Sequence, residues 1–208
     1  MRFGLLTATL ALVASAAFAQ EDTGGDFSIG GGISTLGATL EPSLRLGDRW
    51  ALRAPFGTGS IGLDDTSNGR DYSGDLDARG IGIMGDYYPF AASGFRLSAG
   101  VFLTDYSVDL KTDAVEFEGI TSDVTARVRQ RQNLMPALAV GYGGSVGRNG
   151  TISVTAGGLF GDGFDVSARE SSGSVPQELV DAEIEDIRGD LGDLDIIPYL
   201  QLSVGFRF

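Results

Sequence analysis

The chain has 208 residues, 28 of them acidic against 15 basic, and a formal net charge of −13. It contains neither Cys nor His, which excludes disulfides, His-assisted Ser or Cys catalysis, and zinc sites built on His or Cys. The acidity speaks against nucleic acid, because phosphate binding needs clustered Lys and Arg; nothing pairs carboxylates for catalysis, so the chain is not read as an enzyme, and no cofactor or metal is implied.

Residues 1–19 read as a secretory signal peptide. Arg2 supplies the positive start, Phe3 to Ala16 is mostly apolar, and Ala17-Phe18-Ala19 forms an A-x-A cleavage site before Gln20. No Cys follows that site, so a lipid-anchored lipoprotein is excluded. Residues 20–208 then form a single domain. They contain no apolar run of helix-spanning length, and the 32 glycines favour strands and turns.

The first periodic stretch is Phe27–Leu46, about twice the length of a membrane strand. Its apolar register switches from odd positions (Phe27, Ile29, Ile33) to even ones (Leu36, Ala38, Leu40, Leu44), so a turn or bulge is expected near Ser34-Thr35. Glu41 and Arg45 lie opposite the even face. Trp50–Leu63 follows, with Trp50, Leu52, Ala54 and Phe56 on one face and Arg53 on the other. Asp75–Phe90 is Gly-rich and carries Asp86. In Phe95–Leu110, the residues Phe95, Leu97, Ala99, Val101 and Leu103 face away from Arg96 and Ser98. Val124–Val146 sets Leu134, Pro136, Leu138, Val140 and Tyr142 against small residues. Thr151–Ala168 alternates more weakly. Asp195–Phe208 alternates cleanly, with Leu200, Leu202, Val204, Phe206 and Phe208 on one face and Gln201, Ser203 and Arg207 on the other.

The connections alternate short and long. Gly47-Asp48-Arg49, Ala91 to Gly94 and Arg148-Asn149-Gly150 are short, and Asn-Gly favours a tight type I′ hairpin. Long loops are expected roughly over residues 64–74, 109–123 and 169–194, and most of the acids lie in or near them. This asymmetry predicts an all-β chain forming a single antiparallel transmembrane barrel, with short periplasmic turns and long acidic outer loops. Placing both chain ends in the periplasm demands an even strand count. Splitting Phe27–Leu46 in two makes eight strands; ten, with an extra hairpin within residues 109–135, is the alternative. Val175–Leu191 breaks the two-residue rhythm and spaces Val180, Ile184, Ile187 and Leu191 as a short amphipathic helix in the last loop.

A soluble barrel shows the same alternation with its faces exchanged. Charges set opposite continuous apolar faces, aromatic residues at the strand ends (Trp50, Tyr87, Phe90, Phe95, Tyr142, Phe206, Phe208) and the near-absence of Lys all favour a membrane.

The stretches STLGATLEPSLRLGDRWALRA, DYYPFAASGFRLSAGVFLTDYSVDL and DLDIIPYLQLSVGFRF resemble a family of small bacterial outer-membrane β-barrel proteins. Some members of that family are identified as porins for basic amino acids such as ornithine. The resemblance implies an outer-membrane location and raises passive uptake of small, possibly cationic, solutes; it carries over no substrate residues. The terminal Phe on an alternating strand resembles the signature by which such barrels are recognised for insertion, with Phe208, Phe206 and Val204 as the assembly signal. The expected partners are outer-membrane lipid and lipopolysaccharide, and the barrel assembly machinery.

Nine residues are candidates for lining the lumen and setting its selectivity: Glu41, Arg45, Arg53, Asp86, Arg96, Arg127, Arg129, Arg131 and Arg207. Arg127, Arg129 and Arg131 share a face with Asn133 and Ala137, so they are expected to point inward or line the outer mouth, as an anion-attracting strip or as plugs paired with acids. The acidic outer segments form either a cation-concentrating vestibule or merely soluble loops. Inward glycines (Gly80, Gly82, Gly100, Gly141, Gly143, Gly157, Gly205) suggest open space, whereas the arginines suggest a filled lumen. Two functions therefore stay open: a passive small-solute channel, and a structural or surface-interaction barrel with a plugged lumen.

Overall fold

The computed structural model describes residues 27–67, 70–90, 93–117, 120–170, 185, 189, 192 and 194–208. The signal-peptide expectation over residues 1–19 and, apart from Glu185 and Gly189, the predicted helix over Val175–Leu191 lie outside them.

Eight antiparallel strands close into one barrel. They are β1 (Phe27–Ser34), β2 (Gly37–Arg45), β3 (Trp50–Arg53 continued by Phe56–Ser67), β4 (Arg70–Tyr87), β5 (Phe95–Phe117), β6 (Ile120–Gln130 continued by Leu134–Val146), β7 (Gly150–Phe160 continued by Phe164–Glu170) and β8 (Ile196–Arg207). Each strand pairs with its neighbours in sequence, and β8 pairs with β1 in a ladder from Ser28↔Arg207 to Ser34↔Gln201. Closure leaves no free edge. The register switch after Ser34 is a two-residue turn at Thr35-Leu36, completed by Gly37 at φ 92°.

Outward positions carry the apolar alternation. Leu52, Ile83, Val101, Leu138, Val154 and Leu202 are all exposed around the wall. From Phe95 to Leu103 there are eight steps of ~3.3 Å, which at a tilt near 40° span about 20 Å of membrane normal, close to the apolar band of about 25 Å that such barrels show. The lower rim of this band is aromatic. Trp50 packs on Tyr87 with ring centroids 4.9 Å apart, and Phe27, Phe206 and Phe208 cluster at the β1–β8 seam. This rim lies at the end that carries the short turns, the periplasmic end by the topology of these barrels.

Two expectations are corrected. Most of the stretches expected as loops at 64–74 and 109–123 is strand. The β3–β4 ladder runs without slippage from Phe56↔Ile81 to Ser67↔Arg70, and β5 and β6 pair as far as Phe117↔Ile120 past a bulge after Thr112. Above the lipid both faces of a hairpin meet water, so the apolar alternation that marks a strand disappears while the backbone ladder continues. At the β6–β7 connection the residue with positive φ is Gly147, at 67°, and Val146 pairs with Gly150 across three residues, so the two-residue Asn-Gly turn does not form.

Candidate functional site

The interior is built in layers. At mid-depth Arg53, projecting inward from β3, is the hub. Its Nη1 donates to Glu41 Oε2 of β2 at 2.7 Å, while Nε and Nη2 grip the Asp86 carboxylate of β4 at 2.5 and 3.0 Å. Nη2 also reaches Ser98 Oγ of β5 at 3.2 Å, and Ser98 donates to Asp86 at 2.6 Å. Gln201 Nε2 of β8 donates to Glu41 at 2.9 Å, and the Tyr199 hydroxyl donates to Gln201 Oε1. Arg96 of β5 donates from Nη2 to Thr155 Oγ1 of β7 at 2.6 Å and holds its Nε 3.8 Å from Asp86. This chain of contacts runs round the barrel from β8 to β7. It passes β1 and β6, which present only glycine at this depth: Gly30 opposite Glu41, and Gly141 beside Arg96.

These groups are almost completely buried: Arg53 is 4 % exposed and Asp86 0 %. Burying a charge is tolerable only when it is paired and fully hydrogen-bonded, which explains why one guanidinium is shared by two carboxylates.

Above the polar layer the lumen is filled by apolar side chains. Leu36, Ala78, Met84, Phe102, Met135, Leu159 and Tyr199 form one buried cluster, with the Phe102 and Tyr199 ring centroids 5.1 Å apart. Leu36 enters from the β1–β2 turn and is 1 % exposed. The inward glycines do not leave open space here. A Cβ at Gly82 would lie 2.6 Å from the Phe102 ring, and one at Gly141 would lie 2.8 Å from Arg96 Nε. Each is a recess that receives a large side chain from its paired position on the neighbouring strand. Gly82→Ala is therefore expected to destabilise the barrel by about 1–3 kcal/mol through overpacking, and pairing it with Phe102→Leu is expected to restore part of the loss in urea unfolding curves.

Below the polar layer the lumen opens towards the short turns as a vestibule of about 300 Å³. Arg45 and Arg207 stand in its wall, with Arg53, Arg96 and Glu41 at its deep end. Arg45 stacks on Tyr88 with its guanidinium carbon 4.2 Å from the ring centroid, and Arg207 donates to Ser145 Oγ at 3.3 Å.

Arg127, Arg129 and Arg131 do not join the interior, contrary to the expectation from alternation. The register sum of β5 with β6 changes by one between Val108↔Val128 and Leu103↔Leu134, so the segment Arg131-Gln132-Asn133 holds one extra residue. A bulge of this kind exchanges the faces. Gln130 turns inward and donates to Thr104 Oγ1 at 2.8 Å, while the three arginines turn outward. There Arg127 pairs with Asp109, Arg131 pairs with Asp165 at 2.7 Å, and on the neighbouring strands Arg79 pairs with Asp105. Asp105 and Asp109, expected near an outer mouth, thus stand on the outer wall immediately above the apolar band.

Of the sequence-predicted residues, Glu41, Arg53, Asp86 and Arg96 meet in one network, and Arg45 and Arg207 line the vestibule beneath it. Ser98 and Gln201 were placed on the inward face without a role, and the partners Thr155 and Tyr199 and the filling residues Leu36, Phe102 and Met135 were not singled out. Face parity alone could have pointed to Phe102, which shares the even positions of β5 with Arg96 and Ser98.

No family model matches the chain, and no curated protein matches it in sequence. Among solved structures the fold is similar to CarO of Acinetobacter baumannii, with a TM-score of 0.67 and 19 % identity over 88 % of this chain and 97 % of that one. It is similar to CarO2 of the same organism, with a TM-score of 0.68 and 18 % identity over 88 % and 98 %. The fold is that of a small outer-membrane β-barrel, in agreement with the lipid-facing band.

Proposed function

We propose that this protein is an outer-membrane barrel whose lumen is closed at rest, serving as a structural or surface-interaction protein and not as an open pore. One observation carries the reading. The Arg53–Glu41–Asp86 network is almost completely buried at the inner end of the vestibule, and a continuous aqueous channel would wet those groups. The apolar layer above it adds a second barrier, because a pore for a charged amino acid needs a continuous polar path.

Passive uptake of basic amino acids would require both layers to move. On the closed reading, purified protein in planar bilayers gives no steady conductance, and proteoliposomes take up neither ornithine nor arginine. Stable unitary conductance with cation selectivity would sink it and favour the channel.

The partners in this reading are outer-membrane lipid and lipopolysaccharide. The outward belt of Arg79, Arg127, Arg129 and Arg131 supports contact with their phosphates, and Val204, Phe206 and Phe208 are read as the signal for the barrel assembly machinery.

A further inference from the structure

We propose that the periplasmic vestibule is a binding site for a small oxyanion carrying a carboxylate or phosphate group. The argument starts from charge. Four guanidiniums, those of Arg45, Arg53, Arg96 and Arg207, line a cavity whose only acidic lining residue is Glu41. Glu41 and the adjacent Asp86 are both engaged by Arg53. The hydrogen bonds of the other three arginines go to neutral groups: Arg45 to the carbonyls of Gly47 and Asp48, Arg96 to Thr155, and Arg207 to Ser145. An excess of two positive charges is thus gathered in one recess of a chain whose net charge is −13.

Arg96 supplies an independent sign. Its Nε is buried and makes no hydrogen bond, Asp86 Oδ2 standing 3.8 Å away, and the side chain is 4 % exposed. A buried donor left unmade costs about 1–3 kcal/mol, and more when it is charged. The remedy is an acceptor, and the vestibule is where one can enter. Arg96 Nη1 lies towards Gly143, which lines the cavity and has no side chain to obstruct the approach. Guanidiniums bind carboxylate and phosphate oxygens with a planar fork of donors, and the serine hydroxyls of the wall (Ser28, Ser43, Ser153, Ser203) add neutral donors at the same depth. A volume of about 300 Å³ suits a phosphate or a short dicarboxylate. A cation is disfavoured there by the same four arginines.

The test uses the folded full-length barrel in detergent. It is titrated with inorganic phosphate and, separately, with succinate, and followed by calorimetry and by the arginine Nε–H resonances in nitrogen-15 NMR. Binding by at least one anion is expected, with the Arg96 Nε–H signal moving as the site fills; which anion binds separates the phosphate from the carboxylate class. Affinity is expected to fall about tenfold or more in Arg96→Gln and in Arg207→Gln, and to stay unchanged in the outward Arg127→Gln. Arg207 lies near the mouth of the vestibule, so its variant carries the test should Arg96→Gln not fold. Two results would each overturn the proposal: no binding of either anion, or equal binding by the wild type and both inward variants. Conductance plays no part in the readout, so the site stands or falls separately from the closed-lumen reading.

Discussion

Replacing Arg53 by Ala is expected to cost about 3–5 kcal/mol of stability, the loss typical of breaking a buried ion pair from one side. The substitution leaves two buried carboxylates, Glu41 and Asp86, with only Arg96, 3.8 Å from Asp86, as a counter-charge, and it removes five hydrogen-bond contacts, four of them to oxygen and one to the Met84 sulfur. Urea unfolding in lipid vesicles, followed by the loss of the compact unheated gel band, measures the effect. The companion variant Glu41→Leu/Arg53→Met/Asp86→Leu/Arg96→Met removes all four buried charges at once. It is expected to be near neutral or more stable, because apolar packing of similar volume escapes the desolvation cost. If Arg53→Ala unfolds with the wild-type midpoint, the hub does not support the lumen, and water reaches those carboxylates.

The second large effect is at the seam. Phe208 donates its backbone N–H to the Phe27 carbonyl at 2.9 Å, and its ring lies 5.9 Å from that of Phe27 and 5.3 Å from that of Phe206. It is 71 % exposed at the aromatic rim, a position that meets the lipid interface. Deleting Phe208 removes a closing backbone bond and the centre of the ring cluster. Changing it to Asp places a charge where an aromatic anchor belongs. Both variants are expected to accumulate outside the outer membrane, with little heat-modifiable protein recovered from it. Normal yields of heat-modifiable barrel from either one would count against Val204, Phe206 and Phe208 as an assembly signal.

The lumen reconciles two signs that pulled apart in the sequence. Glycines suggested room and arginines suggested plugs, and both describe the same contacts. Gly141 is small because Arg96 crosses over it, and Gly82 is small because Phe102 lies against it. Neither pairing follows from a strand read alone, because the two partners belong to neighbouring strands and are set opposite each other by the ladder register.

What could be read along the chain was whatever depends on a strand and its immediate solvent. The alternation of Leu200, Leu202, Val204 and Phe206 against Gln201 and Ser203 already states which face meets lipid, since the side-chain period of two is a local property of extended backbone. The same holds for Glu41, Arg53, Asp86 and Arg96 as inward residues, and the register switch after Ser34 marked the first hairpin. Folding the chain settled three further matters. A single extra residue near Gln132 carried Arg127, Arg129 and Arg131 to the outer wall, because parity counts correctly only up to the next bulge. The acidic stretches at 64–74 and 109–123 proved to be largely tall hairpins, because ladder hydrogen bonds need no apolar face. And Arg53 became a hub for two acids, because Glu41, Arg53 and Asp86, separated along the chain, are brought to one depth by three adjacent strands of a closed wall.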